Sequence, residues 1–141
     1  MISQALVALI GTISFSVLFS VPVSEYLYCG LSGMIGWLCY LGGVSLGLGY
    51  AKAIFIGALV LTILCRYLAV KRKLPLTVFL ICGIFPLVPG AGIYYTAYYF
   101  ITNQHSLALA KGLETFSTAV MIALGIVFAL AIPHTFFKRT K

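Results

Sequence analysis

Lys111, Glu114, Thr115, Ser117 and Thr118 gather charge and hydroxyls into one short stretch of an otherwise apolar chain. Lys111 and Glu114 stand three apart, a spacing at which two helical side chains meet and pair. Such a strip offers a cation to a carboxylate and a carboxylate to an ammonium, which suits a small amino acid. A carboxyl in a low-dielectric cavity can also carry a coupling proton. The competing reading is an interfacial lysine that snorkels to water with Glu114 beside it, and both stay open. Glu25, the other acid, is read as structural: it favours a helix N-terminus and balances Arg72 or Lys73.

A second feature is backbone chemistry. Pro86-Leu87-Val88-Pro89-Gly90 breaks an apolar run and is followed by Gly92 and by Tyr94-Tyr95-Thr96. Each proline lacks an N–H and crowds the preceding turn, while Gly90 and Gly92 permit positive φ or close helix contact. In hydrocarbon an unpaired backbone group costs about several kcal/mol, so irregular backbone at depth must be packed in protein or line a cavity. Broken helices recur at transporter binding sites, and a plain packing kink is the alternative. The helix is expected to be interrupted between about Ile84 and Gly92. The candidate substrate-binding or pathway residues are Pro86, Pro89, Gly90, Gly92, Tyr95, Thr96, Glu114, Thr115 and Thr118, supported by Arg66 and Lys111. Arg66 reaches interior carbonyls or a carboxylate, or it snorkels to headgroups.

Other chemistries find little support. Cys29, Cys39, Cys65 and Cys82 show no metal-like spacing, fall in apolar runs, and read as small packing residues. His105, read in an outer loop, and His134, at an inner boundary, have no carboxylate cluster beside them. No GxSxG elbow, HExxH pair or P-loop is present. The chain is therefore read as a non-enzyme with no cofactor and no metal site.

The elements that position these residues follow from composition. The 141 residues are 62% hydrophobic and 8% charged, with a mean hydropathy of +1.14. That describes an integral membrane protein embedded in a lipid bilayer, not a water-soluble globule. The formal charge of +7 lies at the ends of apolar runs without an aromatic stripe, so it speaks for topology and against nucleic acid. The fold expected is all-α: a polytopic helix bundle in a single transmembrane domain, residues 1–141, with about five spans of roughly 20 residues. They run from about Ile2 to Ser20, Glu25 to Leu46 with Ser24 as a cap, Lys52 to Ala69, Pro75 to Ile101 with the break inside, and Leu107 to Pro133. The first lacks a basic flank and a cleavage site, so it is expected to be kept and not to be a signal peptide.

Arg66, Lys71, Arg72 and Lys73 follow the third span, and Lys138, Arg139 and Lys141 the fifth. Both clusters are expected in the cytoplasm, which puts the N-terminus outside and the C-terminus inside. Gly30, Gly33 and Gly36 mark one face of the second span, and Gly43 and Gly47 make a GxxxG spacing. These small residues allow close helix contact, within this chain or against a partner. On the same helix Tyr26, Tyr28 and Tyr40 read equally as interfacial anchors or as site residues.

The chain resembles the threonine/serine exporters, specifically the short five-helix subunit that corresponds to the C-terminal half of longer members. The resemblance runs almost end to end. It rests on Val21-Pro22 leading into Tyr28-Cys29-Gly30-Leu31-Ser32-Gly33-Met34-Ile35-Gly36-Trp37, and on Arg66 followed by Lys73, Pro75 and Thr77. Above all it rests on Phe85-Pro86-Leu87-Val88-Pro89-Gly90-Ala91-Gly92-Ile93-Tyr94-Tyr95-Thr96, continued by Lys111-Gly112 and Ala123-Leu124-Gly125-Ile126. Ala91 departs from the pattern, where a third glycine is expected. The resemblance implies a secondary exporter of threonine, serine or related small metabolites in the cell (inner) membrane. It also implies a drive from an ion gradient and a larger partner subunit of the same family. Threonine and serine come first as substrates and dicarboxylates second. The alternative is a structural or assembly subunit of a membrane complex without substrate contact.

Overall fold

A computed structural model describes residues 2–133; His134, Lys138, Arg139 and Lys141 lie outside the described residues. The described chain is all-helical: α1 Ile2–Leu18, α2 Tyr26–Ser45, α3 Tyr50–Arg72, α4 Leu76–Ile84, α5 Gly90–Ile101 and α6 His105–Ala131. Three helices are long and apolar enough to cross a membrane: α2 with its leading turn, α3 and α6. α4 and α5, bent by 54° at their break, make a fourth if they are one span. α1 has 17 residues, the lower limit for a bilayer. The expectation of five full spans thus holds for three, or four, with α1 a shorter apolar helix.

Local chemistry explains the boundaries. α1 stops at Leu18 and not at Ser20, because Ser20 turns to φ 54° and the Val21 amide reaches back to the Ser16 carbonyl at 3.0 Å. α3 runs past Ala69 to Arg72, where Lys71 and Arg72 favour the negative end of the helix dipole. Lys73 then closes it with φ 55°. Ser24 does not cap α2: it sits in a 3-10 turn, Val23–Glu25, and its hydroxyl donates to the Glu25 carboxylate at 3.1 Å. His105 is the first residue of α6, not a loop residue, with its ring against Phe100.

α3 forms the centre, packed on α2, α4 and α6. Its buried Ile54, Leu61, Cys65 and Leu68 join Cys29, Phe79, Cys82 and Leu87 in one core cluster. The glycine face of α2 is spent inside this chain. A Cβ at Gly33 would strike Thr12 of α1, and one at Gly36 would stand 3.1 Å from Leu61 Cβ of α3. The option of a partner surface at Gly30, Gly33 and Gly36 is thereby corrected, since lipid-embedded helices approach through small residues and these already have their neighbours. The GxxxG pair is corrected too. Gly43 meets Ala53, but Gly47 lies beyond α2 at φ 75°, a left-handed turn that glycine adopts at low cost.

Candidate functional site

α4 ends at Ile84, a 3-10 turn covers Phe85–Leu87, and α5 restarts at Gly90, so the helix is broken inside the span expected. The break is braced on one side by α1, where Phe15 stacks on Phe85 at 3.7 Å between ring centroids. On the other side it borders a cavity of about 260 Å³, roughly nine water volumes at ~30 Å³ each. Pro86, Leu87 and Pro89 to Gly92 form one wall, and Lys111, Glu114, Thr115 and Thr118 of α6 form another. The Gly90 amide is answered by the Val88 carbonyl at 2.8 Å and the Ile93 amide by Pro89 at 3.1 Å. The amides of Ala91 and Gly92 belong to the first helical turn, which lacks partners within its own helix. The positive end of the α5 dipole therefore lies at the cavity wall.

The two glycines of the break differ from each other, and only Gly92 makes the close helix contact that was one of the two expectations. Neither has positive φ. A Cβ at Gly90 would meet nothing within 4 Å, whereas one at Gly92 would strike the Thr115 side chain. Gly92 is thus the close-contact residue between α5 and α6, and Gly90 leaves the cavity wall bare.

On α6 the strip is assembled as its spacing dictates. Lys111 Nζ donates to Glu114 Oε2 at 2.8 Å, with the two side chains 35% and 54% exposed. Thr115 and Thr118 donate their hydroxyl protons to the carbonyls one turn back, Lys111 O at 2.7 Å and Glu114 O at 2.9 Å. Their oxygens keep acceptor capacity and have no proton left to give. Ser117 is exposed and lies outside the cavity. A second hollow of about 360 Å³ shares Tyr95, Lys111 and Glu114 with the first.

The cavity therefore unites Pro86, Pro89, Gly90, Gly92, Tyr95, Lys111, Glu114, Thr115 and Thr118. Two expected residues lie elsewhere. Thr96 lines an apolar groove between α5 and α6 and donates to the Gly92 carbonyl at 2.7 Å. The Arg66 guanidinium donates to the carbonyls of Ala129 at 2.5 Å and Ile132 at 2.8 Å, closing the C-terminus of α6. Of the readings open for Arg66, the interior carbonyls are realised among the described residues.

Trp37, Tyr50 and Ile54, which the sequence does not single out as site residues, also line the cavity, and so does Tyr40, which takes the site reading over that of an interfacial anchor. Trp37 packs on Tyr40 at 4.9 Å and Tyr40 on Tyr50 at 5.8 Å, an aromatic wall from α2 to the start of α3. Trp37 Nε1 is buried with no hydrogen-bond partner among the described residues. A sequence signal existed: the sole tryptophan stands mid-helix among glycines and not at a helix end, where interfacial tryptophans collect. Glu25 is remote from all this. It is 4% exposed and receives Arg72 through both carboxylate oxygens, at 2.6 Å from Nη2 and 2.9 Å from Nε. The Arg72 guanidinium also lies over the Tyr28 ring at 4.6 Å.

Comparison with known proteins gives the chain a family. The family described as "Threonine/Serine exporter, ThrE" matches residues 4–132. A Mycobacterium tuberculosis protein named "Probable threonine/serine exporter" is 26% identical over 107 residues, covering 75% of this chain and 20% of that protein. The chain thus aligns with about a fifth of that relative's length. No solved structure matches.

Proposed function

Because the chain belongs to the threonine/serine exporter family, a family of transporters and not an enzyme class, we propose that it passes threonine, serine or a related small metabolite through the cavity at the broken helix. The observation that carries this reading is the cavity itself. It sits where irregular backbone, a helix N-terminus and a charged strip converge in an apolar bundle, the arrangement transporters use at binding sites near the bilayer midplane. The α5 amides offer donors to a carboxylate, and Glu114 with the threonine oxygens offers acceptors to an ammonium. Arg66, the α6 clamp, and Lys111, the partner of Glu114, support the site. Thr96 stands behind the site, with its hydroxyl on the Gly92 carbonyl.

On this reading the protein lies in the cell membrane with its N-terminus outside and the Lys71-Arg72-Lys73 turn in the cytoplasm. It works with a larger subunit of the same family, which supplies the opposing half of the pathway. The test is efflux of threonine from cells carrying the chain with its partner, the chain alone, and the pair with Gly90→Leu. A Cβ at Gly90 meets open space, so the leucine is expected to fill the cavity, abolish efflux and leave membrane insertion intact. Full export by the Gly90→Leu pair would refute the pathway. Export by the chain alone at the rate of the pair would refute the partnership. An assembly subunit without substrate contact is the outcome indicated if export needs the chain and tolerates Gly90→Leu.

A further inference from the structure

The Lys111–Glu114 pair occupies a particular place. It is common to the walls of the 260 Å³ cavity and the adjoining 360 Å³ hollow, a position that among the described residues only Tyr95 shares. The pair is therefore presented to both hollows at once. The pair is held by one contact of 2.8 Å between side chains that remain 35% and 54% exposed. Exposed ion pairs of this kind add little to stability, so opening the pair costs little.

We propose that this ion pair is the specificity element of the cavity, opened by a zwitterion that gives its carboxylate to Lys111 and its ammonium to Glu114. The proposal rests on the transport reading above and deepens it: it names the two side chains that discriminate among the small metabolites that reading allows, with Lys111 joining the α5 amides as a partner for the carboxylate. A solute bearing one charge of each sign replaces the pair's single bond with two and leaves the site's net charge unchanged. A dicarboxylate satisfies Lys111 and sets its second anion against Glu114; an amine satisfies Glu114 and leaves Lys111 without a partner. The hydroxyls reinforce the polarity. Thr115 and Thr118 have given their protons to Lys111 O and Glu114 O, so towards the cavity they act as acceptors, suited to an ammonium. Below them the wall is apolar at Ile54 and Leu87, both almost fully buried, which admits a short side chain.

The test is equilibrium binding of tritiated L-threonine to the full chain in nanodiscs. Two competitors are used: the amino alcohol that threonine becomes without its carboxylate, and the hydroxy acid it becomes without its ammonium. Lys111→Gln is expected to weaken threonine and the hydroxy acid by about tenfold or more while changing the amino alcohol by no more than about twofold. Glu114→Gln is expected to do the reverse, weakening threonine and the amino alcohol and sparing the hydroxy acid. Both variants retain the fold, since the pair contributes little to it, and helical circular dichroism checks this. Equal weakening of all three ligands by both variants overturns the proposal. So does no change in either variant, or no saturable threonine binding by the chain. The selective pattern without cellular efflux would leave the ligand assignment standing and sink the export reading. Efflux whose selectivity is unaltered in both variants would do the opposite.

Discussion

Gly92→Ala has the effect that the structure defines most narrowly. A Cβ at this position strikes Thr115 Oγ1 and stands 3.3 Å from Thr115 Cβ and Cγ2. The hydroxyl is not free to swing aside, because it donates to Lys111 O at 2.7 Å. Either that bond is given up, at about 1 kcal/mol, or α5 shifts off α6; overpacking of this kind costs about 1–3 kcal/mol. We expect Gly92→Ala to destabilise the bundle by about 2 kcal/mol. Thr115→Ala removes the offending atoms and leaves a Cβ at 3.3 Å, which needs only slight adjustment. The double variant should therefore resemble Thr115→Ala alone, with a coupling of about 1–2 kcal/mol between the two sites. Reversible unfolding of the four proteins in bicelles measures it. Gly90→Ala, two residues away with nothing within 4 Å, is the control and should stay within about 0.5 kcal/mol of the parent. Additivity of the two substitutions within about 0.5 kcal/mol, or a Gly90→Ala cost equal to that of Gly92→Ala, would refute the reasoning.

Arg66→Met withdraws a cation from the last carbonyls of α6, so its amides near Ala129 should exchange hydrogen faster and the melting temperature should fall. Arg66→Lys should recover only part of this, because an ammonium lacks the planar fork that reaches several carbonyls; full recovery would show that charge alone suffices. Topology is tested by a single cysteine at position 72 on a cysteine-free background. It should react with impermeant reagents only from the cytoplasmic side, and labelling from outside would overturn the orientation.

Much of this arrangement was legible in the sequence because its causes are local. Pro86 and Pro89 each remove a helical hydrogen bond and crowd the preceding turn, and Lys111, Glu114, Thr115 and Thr118 share a face by spacing alone. What stayed hidden depends on neighbours distant in the chain. Nothing local distinguishes Gly90 from Gly92; only the arrival of Thr115 from α6 makes one a contact and the other an opening. Gly43 and Gly47 looked like a packing pair because spacing assumes that the helix continues. Gly47 instead leaves it in a left-handed turn. Trp37 was legible as an anomaly but not as a wall, since its cavity exists only once the break in α4–α5 folds against α2.

The packing divides the bundle unevenly. At the Arg72 end, Glu25 takes a two-point ion pair, Arg66 closes α6, and Phe79, Cys65 and Leu68 belong to the core. Tyr50 and Arg72 are the ends of one helix, about 33 Å apart at ~1.5 Å per residue, and the cavity lies at the Tyr50 end. There α5 has no fully buried residue and rests chiefly on α6. An element that buries little and begins at a helix break sits at the low end of local stability, which is where moving parts are found. Transport through the cavity would then proceed by α5 rocking against a fixed α2–α3–α4 base. Hydrogen exchange of the full chain in nanodiscs should find residues 94–101 exchanging faster than residues 54–68, with α3 close to the global limit. Saturating threonine should slow exchange in the first turn of α5, as ligand contacts order it. Uniform protection across α3 and α5 would assign the motion to the whole bundle and remove α5 as the moving part.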